Sequence, residues 1–455
     1  MRSDALPREV RRLALPAILH QLLQTLVFVV DRAMLGHHAE SSLAAMQIAG
    51  PLEWSVWSVF SAFTVGTIAR VGRHVGAGKY DEARRAAWVS LAFALLAGML
   101  VAAAAPMLLD RLAWAYPKAS PVVIAEARGY LGWTLAASPI VFLATAAIAV
   151  QQAAGDTRTP LAIGLVANVI HIALNRVLIL GASSGAVAFP ALGARGAGMS
   201  TAVTFALVAG MAIAALARKG RAVSLRRGTN DGASARGAYA REARAVANVA
   251  LPSLAERVLY HAGYVGFVLI ITQLGDVPMA ANQALISVES LSFLSADGFG
   301  VAAAALVAQK LGAGRVDEAV RVTRISVVDA VALLTTVGLV FFATRSVVLP
   351  IFTPEANVIA AGAAAVPVLA FAQPFMATSV VVAEALRGGG FTRTVLCVSA
   401  LSAFVVRLSC TWLFAITWGL GLTGVWLGST ADWMVRTALL VSLGTARARA
   451  LRRER

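Results

Sequence analysis

The sequence predicts an all-α membrane protein in which 12 transmembrane helices form two pseudo-symmetric six-helix bundles. Hydrophobic residues make up 59% of the 455 residues and charged residues only 14%, which leaves too little polar surface to cover a soluble domain. Apolar runs of about 20 residues, the length of a membrane-spanning helix, recur from end to end. One stretch also occurs twice, once in each half, and this repeat divides the chain into two similar units.

The apolar runs predict six spans in each half. In order, the predicted spans are residues 13–35, 43–69, 84–106, 128–150, 160–180, 196–217, 246–272, 279–306, 320–343, 358–386, 394–417 and 422–444. They define an N-lobe of residues 1–217, a cytoplasmic linker of residues 218–245 and a C-lobe of residues 246–455. The linker is rich in Gly, Ser and Arg, a composition typical of a flexible tether in water.

The repeated stretch follows the second span and again follows the eighth. Residues 71–85 and 307–321, at an offset of 236 in numbering, are identical at eight of 15 positions, including a Gly-Ala-Gly and an Asp-Glu-Ala. Gly76 or Gly78 can take the left-handed conformation that ends a helix. Asp81 is then predicted to cap the start of the next helix. Each copy therefore predicts a short basic elbow between two apolar helices.

In the second elbow, Asp317 is likewise predicted to cap the start of the next helix.

A later pair of related segments, residues 155–159 and 390–394, is one residue closer, at an offset of 235. Because each unit contains an even number of spans, the two halves are predicted to face the same way across the membrane.

The basic residues predict the orientation. Of the 39 Lys and Arg residues, 29 fall in segments that lie on one side of the membrane, and about six fall on the other. By the positive-inside rule, both termini are cytoplasmic in a multi-pass protein of the cell inner membrane. The formal charge of +16 therefore reflects orientation in the lipid bilayer and does not indicate nucleic-acid binding.

Polar side chains inside the first and fifth spans predict an ion site. A charge at mid-membrane costs about 2.5–3.5 kcal/mol, so each one is a functional candidate. Asp31 is interpreted as a proton or cation site, with a structural carboxylate as the alternative. His171 and Asn175 are four residues apart and share a helix face, and Asn168 is on the same span. Asn175 lies at a similar depth to Asp31. His171 is alternatively a hydrogen-bonded histidine of the bundle.

A second set of polar residues is predicted to contact substrate. Glu53 and Glu289 are related by the offset of 236, and each follows a glutamine six residues earlier. They could line a cavity, or they could hold their own bundles together by hydrogen bonds. The candidate substrate-contacting residues are Gln47, Glu53, Gln283, Glu289, Glu256 and Gln373.

Three further predictions concern spans of the second half. Asp297 lies in an Asp-Gly-Phe-Gly segment, which predicts a flexible or broken point in the eighth span. Asp432 and Arg436 are four residues apart and are predicted to pair with each other. Glu256 and Glu384 lie near the cytoplasmic ends of their spans and could snorkel to the water.

Motifs for other chemistry are absent from the sequence. There is no Walker-type glycine loop, no His-Glu-x-x-His and no cysteine pair with metal-binding spacing. The sequence therefore predicts that the protein is not an enzyme and carries no cofactor, so that an ion gradient would supply energy for transport.

The motifs together resemble those of the multidrug and toxic compound extrusion (MATE) family. The resemblance covers nearly the whole chain. It rests on Leu15-Pro16, Val30-Asp31, Leu35-Gly36, Leu43-Ala44-Ala45, both elbows, residues 155–159, Leu386-Arg387-Gly388, Thr392-Arg393, Pro252 to Glu256, and Ala280 to Gln283 with Glu289.

The resemblance implies two six-helix lobes around a V-shaped cleft, and export of organic cations or other drugs in exchange for H⁺ or Na⁺. It also implies that Asp31 is the coupling carboxylate, or a Na⁺ ligand if Na⁺ is the coupling ion. The chain is expected to act as a monomer. The alternative is an exporter or flippase of metabolites or lipid-linked precursors in the same superfamily.

The sequence departs from the family pattern at two places. The fifth span of family members often carries an asparagine and then an aspartate where this chain has His171 and Asn175. A glutamate of the seventh span is replaced by Tyr260. These departures favour H⁺ coupling through Asp31 with His171 nearby.

Overall fold

The computed structural model describes residues 5–117, 119–184, 187–218, 222–225, 235–351 and 355–453. Helices account for nearly all of this part of the chain. The predicted flexible linker includes residues 219–221 and 226–234, which lie outside the described residues.

The first half contains eight helices and a small hairpin. They are α1 (Ala5–His38), α2 (Glu40–Gly76), α3 (Tyr80–Asp110), α4 (Leu112–Ala115), α5 (Pro121–Ala136), α6 (Ser138–Ala153), α7 (Arg158–Leu178), the antiparallel strands β1 (Ala182–Ser184) and β2 (Val187–Phe189), and α8 (Gly193–Ala217). The hairpin was not predicted from the sequence.

The second half contains the remaining helices and two π-helical segments. They are α9 (Ala235–Thr272), α10 (Asp276–Gly312), α11 (Val316–Val348), a 3₁₀ turn (Leu349–Ile351), α12 (Ala356–Gly388), α13 (Thr392–Leu401), a π-helix (Ser402–Arg407), α14 (Leu408–Trp412), a π-helix (Leu413–Thr417) and α15 (Gly421–Arg453).

Each predicted span falls on one long helix or on one interrupted helix. The fourth span is the pair α5 and α6, which bends by 52° at Ala137. Nine helices of the described residues are long and apolar enough to cross a membrane, and this pair makes a tenth. The helices α2 and α15 are equally long but more polar. The fold is therefore the all-α membrane architecture that the sequence predicts.

The chain divides into two compact units that exchange the beginnings of two helices. Residues 22–250 form the N-terminal unit, and residues 1–21 with 251–455 form the C-terminal unit. The start of α1 thus packs with the C-terminal unit, and the start of α9 packs with the N-terminal unit. The lobe boundaries expected from the sequence follow the chain order and do not include this exchange.

Each unit has its own apolar core. In the N-terminal unit, fully buried Leu35, Leu131 and Ile179 belong to one cluster. In the C-terminal unit, Leu285 and Val425 are fully buried in another. Each core forms because several long helices turn one apolar side toward each other.

The elbows adopt the expected backbone but not the expected caps. Gly78 has φ 71° and Gly314 has φ 75°, the left-handed conformation that favours glycine. The predicted N-caps are wrong, because α3 begins at Tyr80 and α11 begins at Val316. Asp81 lies in the first turn of α3, as Asp317 does in α11. The acids therefore act on the positive helix end rather than as caps.

The predicted break in the eighth span is also wrong, because α10 is continuous from Asp276 to Gly312. A Cβ at Gly298 would lie 2.7 Å from the backbone of Ile18, so the glycine permits close helix packing. The pairing of Asp432 and Arg436 is confirmed, at 3.1 Å between Oδ2 and the guanidinium.

Candidate functional site

The candidate site of the N-terminal unit is built around one buried carboxylate. Asp31 on α1 is 3% exposed. Its Oδ1 lies 2.7 Å from His171 Nε2 and 2.5 Å from Asn175 Nδ2. Both partners are on α7, so a helix-to-helix contact holds the carboxylate in place.

The periodicity of α7 explains why the two partners point at Asp31. The buried residues of this helix recur every three or four positions. They are Pro160, Ile163, Ala167, His171, Asn175 and Leu178. His171 and Asn175 thus occupy the packed face, where they are 1% and 0% exposed. The pattern puts an imidazole and an amide one turn apart on the side that meets α1.

Hydroxyl groups of α8 complete the site on the far side of the imidazole. His171 Nδ1 lies 3.1 Å from Thr204 Oγ1 and 3.2 Å from Ser200 Oγ. Ser200 also donates to the His171 backbone oxygen, at 3.3 Å. Because a hydroxyl can donate or accept, these contacts permit either imidazole tautomer.

The imidazole therefore has two compatible hydrogen-bond patterns. With hydrogen on Nε2, it donates to the Asp31 carboxylate while Nδ1 accepts from a hydroxyl. With hydrogen on Nδ1, it donates to a hydroxyl while Nε2 accepts from protonated Asp31. The second pattern holds one more proton than the first, so Asp31 can gain or lose a proton while it stays hydrogen-bonded to His171.

The amide of Asn175 has one unused group. Its Nδ2 is 3.0 Å from His171 Nε2 as well as 2.5 Å from Asp31, while its Oδ1 has no hydrogen-bond partner. The fourth predicted member, Asn168, does not join this network. It lies about two turns before Asn175 on α7, and its side chain donates to the Leu23 backbone oxygen at 3.2 Å.

Glu53 lies in the same unit and is held by a tyrosine. Tyr130 on α5 donates its phenolic hydrogen to Glu53 Oε2 at 2.6 Å. Tyr130 is 1% exposed. The charges of Asp31 and His171 also act on Glu53, so the two acids belong to one electrostatic neighbourhood.

The predicted substrate residues of the C-terminal unit have different surroundings. Glu256 on α9 forms an ion pair with Arg387 at 2.6 Å and accepts from Ser399 at 2.8 Å. Arg387 also pairs with Glu384 at 2.5 Å. The guanidinium of Arg387 pairs with both Glu256 and Glu384, so neither acid snorkels to the water on its own.

The remaining candidates fall into two groups. Gln47 and Gln283 are exposed on their helices, and Glu289 is half-buried. Gln373 is 1% exposed, and its amide donates to the Leu369 backbone oxygen at 3.3 Å. The structure thus brings Asp31, His171 and Asn175 together, whereas the substrate candidates are spread through both units.

Sequence reasoning missed the polar residues that support the candidate site. Tyr130, Ser200 and Thr204 are hydroxyl residues in otherwise apolar helices, and only their partners reveal a role. Ser200 and Thr204 are four residues apart on α8, a spacing that could have indicated one polar face.

One known family matches most of the chain, and curated relatives match nearly its whole length. The family model described as MatE matches residues 16–177 and again residues 252–413. A probable multidrug resistance protein NorM from Thermotoga maritima is 28% identical over 432 residues, which cover 95% of this chain and 90% of that protein. The multidrug resistance protein MdtK from Edwardsiella ictaluri is 24% identical, with coverage of 92% and 91%.

Solved structures show the same fold. The crystal structure of the Vibrio cholerae MATE transporter VcmN in the bent form has a TM-score of 0.87 and 18% identity, with 98% of each chain covered. A multidrug resistance MATE family transporter in an outward-facing conformation has a TM-score of 0.85 and 20% identity, with coverage of 100% and 99%.

Proposed function

This chain belongs to the MATE family of transporters in the MOP superfamily, and from that premise we propose that it is a secondary active multidrug efflux antiporter. It exports organic cations or other drug-like compounds across the cell inner membrane in exchange for H⁺. Relatives of similar length are named multidrug resistance proteins, which supports export of drugs. The duplicated unit supports a monomer, since one chain carries both halves.

The observation that carries the proposal is the buried contact between Asp31 and His171. A carboxylate that is 3% exposed inside a membrane-spanning helix is costly to keep charged, so its protonation state is sensitive to its neighbours. An imidazole at 2.7 Å can stabilise the charged carboxylate or accept a hydrogen bond from the neutral acid. The site can therefore load and release a proton with small movements.

Loading the proton changes the bonds that join α1 to α7. The ionised Asp31 accepts from both His171 and Asn175. The neutral acid donates a hydrogen bond instead, either to His171 Nε2 or, if the Asn175 amide rotates, to the free Oδ1 of Asn175. Protonation would thus reverse one of the hydrogen bonds that join Asp31 to α7 and change the packing of the two helices. This change lowers substrate affinity and favours release.

The donor set favours H⁺ over Na⁺. The two atoms nearest Asp31 Oδ1 are the nitrogens of His171 and Asn175, whereas a hard cation takes oxygen ligands. Within the described residues, no group of three or more His, Cys, Asp or Glu side chains could hold a metal ion. Na⁺ would require Asn175 to turn its Oδ1 toward Asp31.

Glu53 and Glu289 are the proposed contacts for the positive charge of a substrate. They occupy equivalent positions of the two units, and each is half-buried on a helix that also carries an exposed glutamine, Gln47 or Gln283. Half-burial keeps a carboxylate within reach of a ligand and strengthens its attraction to a cation compared with full exposure to water.

The test is gradient-driven efflux of a cationic dye from proteoliposomes, first with a pH gradient and then with a Na⁺ gradient. We expect the wild type to respond to the pH gradient. We expect Asp31→Asn to lose at least about tenfold in rate, because the amide cannot exchange a proton, a loss typical of removing an essential acid–base group.

The matched control is Asp276→Asn, which changes an exposed acid in the first turn of α10. We expect it to keep the wild-type rate. Full pH-driven efflux by Asp31→Asn, or efflux driven only by Na⁺ in the wild type, would contradict H⁺ coupling at this site.

A further inference from the structure

The C-terminal unit contains a buried cationic cluster at the position that corresponds to the candidate proton site. The two matches to the family model, residues 16–177 and 252–413, have the same offset of 236 as the repeated elbow. That offset relates Asp31, His171 and Asn175 to Phe267, Arg407 and Thr411, in that order. The acid of the N-terminal unit is therefore replaced by phenylalanine, and its histidine is replaced by arginine.

The register of this comparison has a structural basis. The elbows at Gly155 and Gly390 are related by an offset of 235, and both glycines have positive φ, 84° and 85°. The π-helix from Ser402 to Arg407 follows the second elbow. A π-helical turn accommodates one additional residue, which accounts for the change from 235 to 236 before Arg407.

The arginine cluster, defined as Arg407, Arg436 and Asp432, has two cations for one acid. Asp432 is fully buried, and its Oδ2 lies 2.8 Å from Arg407 and 3.1 Å from Arg436. The hydroxyl of Ser402 also donates to this carboxylate. Asp432 is thus already engaged by three donors, and its single charge leaves the cluster with a net positive charge.

Several polar groups around the cluster have no partner. The Nε atoms of Arg407 and Arg436 have no hydrogen-bond acceptor, and neither does the indole Nε1 of Trp433. Trp433 is 8% exposed, and its ring centroid lies 5.5 Å from the Arg407 guanidinium and 5.1 Å from that of Arg436. Thr411 Oγ1, fully buried, also lacks a partner. Buried polar groups are nearly always hydrogen-bonded, so several unpaired donors at one place indicate that a ligand supplies an acceptor there.

The nearby acid does not provide that acceptor. Glu289 acts electrostatically on Arg407, but in the described part of the chain it makes no ion pair with that residue within 4 Å. Each guanidinium side chain is 12% exposed, so a small group can reach it. The aromatic rings of Phe267 and Trp433 lie next to the Arg407 guanidinium, with their centroids 5.6 Å and 5.5 Å from its central carbon.

We propose that the arginine cluster binds the carboxylate group of an aromatic organic anion or zwitterion. Arg407 and Arg436 would supply charge-assisted hydrogen bonds, and Trp433 would donate from its indole nitrogen. The aromatic walls suit a flat ring attached to the carboxylate. The two units would then have opposite polarity at equivalent positions, a proton site in one and an anion site in the other. This extends the proposed export activity to substrates that carry a carboxylate.

The test measures binding rather than transport, so it is independent of the proposed antiport. The full chain in lipid nanodiscs is titrated with 1-naphthoate by calorimetry at low chloride, and empty nanodiscs are subtracted. The uncharged 1-naphthamide is titrated as the control ligand of the same shape, and sodium chloride is titrated in a separate experiment. We expect saturable binding of naphthoate at one site per chain, and at least about tenfold weaker binding of the amide, because the amide lacks the charge.

Two variants separate binding from folding. Arg436→Met leaves the neutral pair of Arg407 and Asp432, and we expect about tenfold weaker binding of naphthoate. Trp433→Phe keeps an aromatic ring and removes the indole donor, and we expect binding weaker by about threefold or more. The control Arg345→Met removes another arginine that stacks on an aromatic ring, at Phe342, and should leave the affinity unchanged.

Equal binding of naphthoate and naphthamide would overturn the proposal, as would an affinity that neither variant changes. Saturable, Arg436-dependent binding of chloride without binding of naphthoate would overturn the carboxylate assignment. Naphthoate binding by Asp31→Asn at wild-type affinity would support the proposal even if that variant, or the wild type, exports no cationic dye.

Discussion

A single carboxylate holds the start of α9 on the N-terminal unit, ahead of the seventh predicted span. Glu242 accepts from Arg70 Nε at 2.8 Å and from Arg70 Nη2 at 3.0 Å, and His74 Nε2 lies 3.3 Å away. Burial opposes its ionisation, but the hydrogen bonds from His74 and Arg70 and their charges outweigh burial and lower the pKa of Glu242 to about 2. The carboxylate is therefore bound far more strongly in its charged form.

This contact predicts a pH-dependent stability at the start of α9. Because the pKa is lowered on folding, the stabilisation is fully present above the ordinary pKa of 4.5 and is lost as the pH falls toward about 2. We expect Glu242→Gln to speed amide hydrogen exchange in residues 236–250 at pH 7. The difference from the wild type should shrink progressively below about pH 4.5, since the carboxylate of the opened segment then binds a proton while the folded one stays charged until about pH 2.

Hydrogen exchange followed by mass spectrometry, with both proteins compared at each pH, measures this effect. Glu40→Gln is the control, because Glu40 is an exposed acid in the first turn of α2. Equal exchange of Glu242→Gln and wild type at pH 7 would show that the contact does not hold the segment.

Individual residues differ in how far their surroundings could be predicted from the sequence. Asp31, His171 and Asn175 could be grouped because spacing along a helix and depth in the membrane are both readable from the chain. The pair of Glu256 and Arg387 could not, since 131 residues separate the partners and only tertiary packing brings them together. Their roles in transport remain predictions.

At the scale of elements, small residues decide where helices approach closely. A Cβ at Gly388 on α12 would lie 2.2 Å from the backbone oxygen of Ala304 on α10. A Cβ at Gly210 on α8 would meet nothing within 4 Å. The same residue type thus serves helix packing at one position and has no contact at the other.

These two glycines give a matched pair of predictions. Gly388→Ala should lower the free energy of unfolding by about 1–3 kcal/mol, because two backbones must move apart to admit the methyl group. Gly210→Ala should raise it by about 0.5–1 kcal/mol, the usual gain in helix propensity. Thermal unfolding in detergent measures both. A stabilised Gly388→Ala protein would contradict the packing of α12 against α10.

Helix ends were harder to predict than helices. The long apolar runs located the spans, but Asp81 was assigned as a cap because its residue type is common there. The helix instead begins one residue before it, at Tyr80, and Lys79 occupies the cap position without a side-chain bond. The backbone of the preceding glycine turn, rather than a capping side chain, determines where α3 starts.

At the scale of the molecule, the proposed orientation has a direct test. After replacement of Cys397 and Cys410, the single-cysteine variant Arg236→Cys should react with a membrane-impermeant maleimide only in inverted vesicles. The variant Ala191→Cys, at an exposed position after the β-hairpin, should react only in intact cells. The prediction follows from the excess of Lys and Arg on one side. Labelling of both cysteines from the same side would contradict it.

The exchanged beginnings of α1 and α9 have a consequence for biogenesis. Residues 1–21 leave the ribosome before residues 22–250, yet the unit they belong to is not finished until residues 251–455 have been synthesised. The other unit lacks its last segment until residue 250 has emerged. Neither unit is therefore complete until later residues have been synthesised, and a nascent chain arrested before α9 would expose to chaperones and membrane proteases the surface that the start of α9 covers.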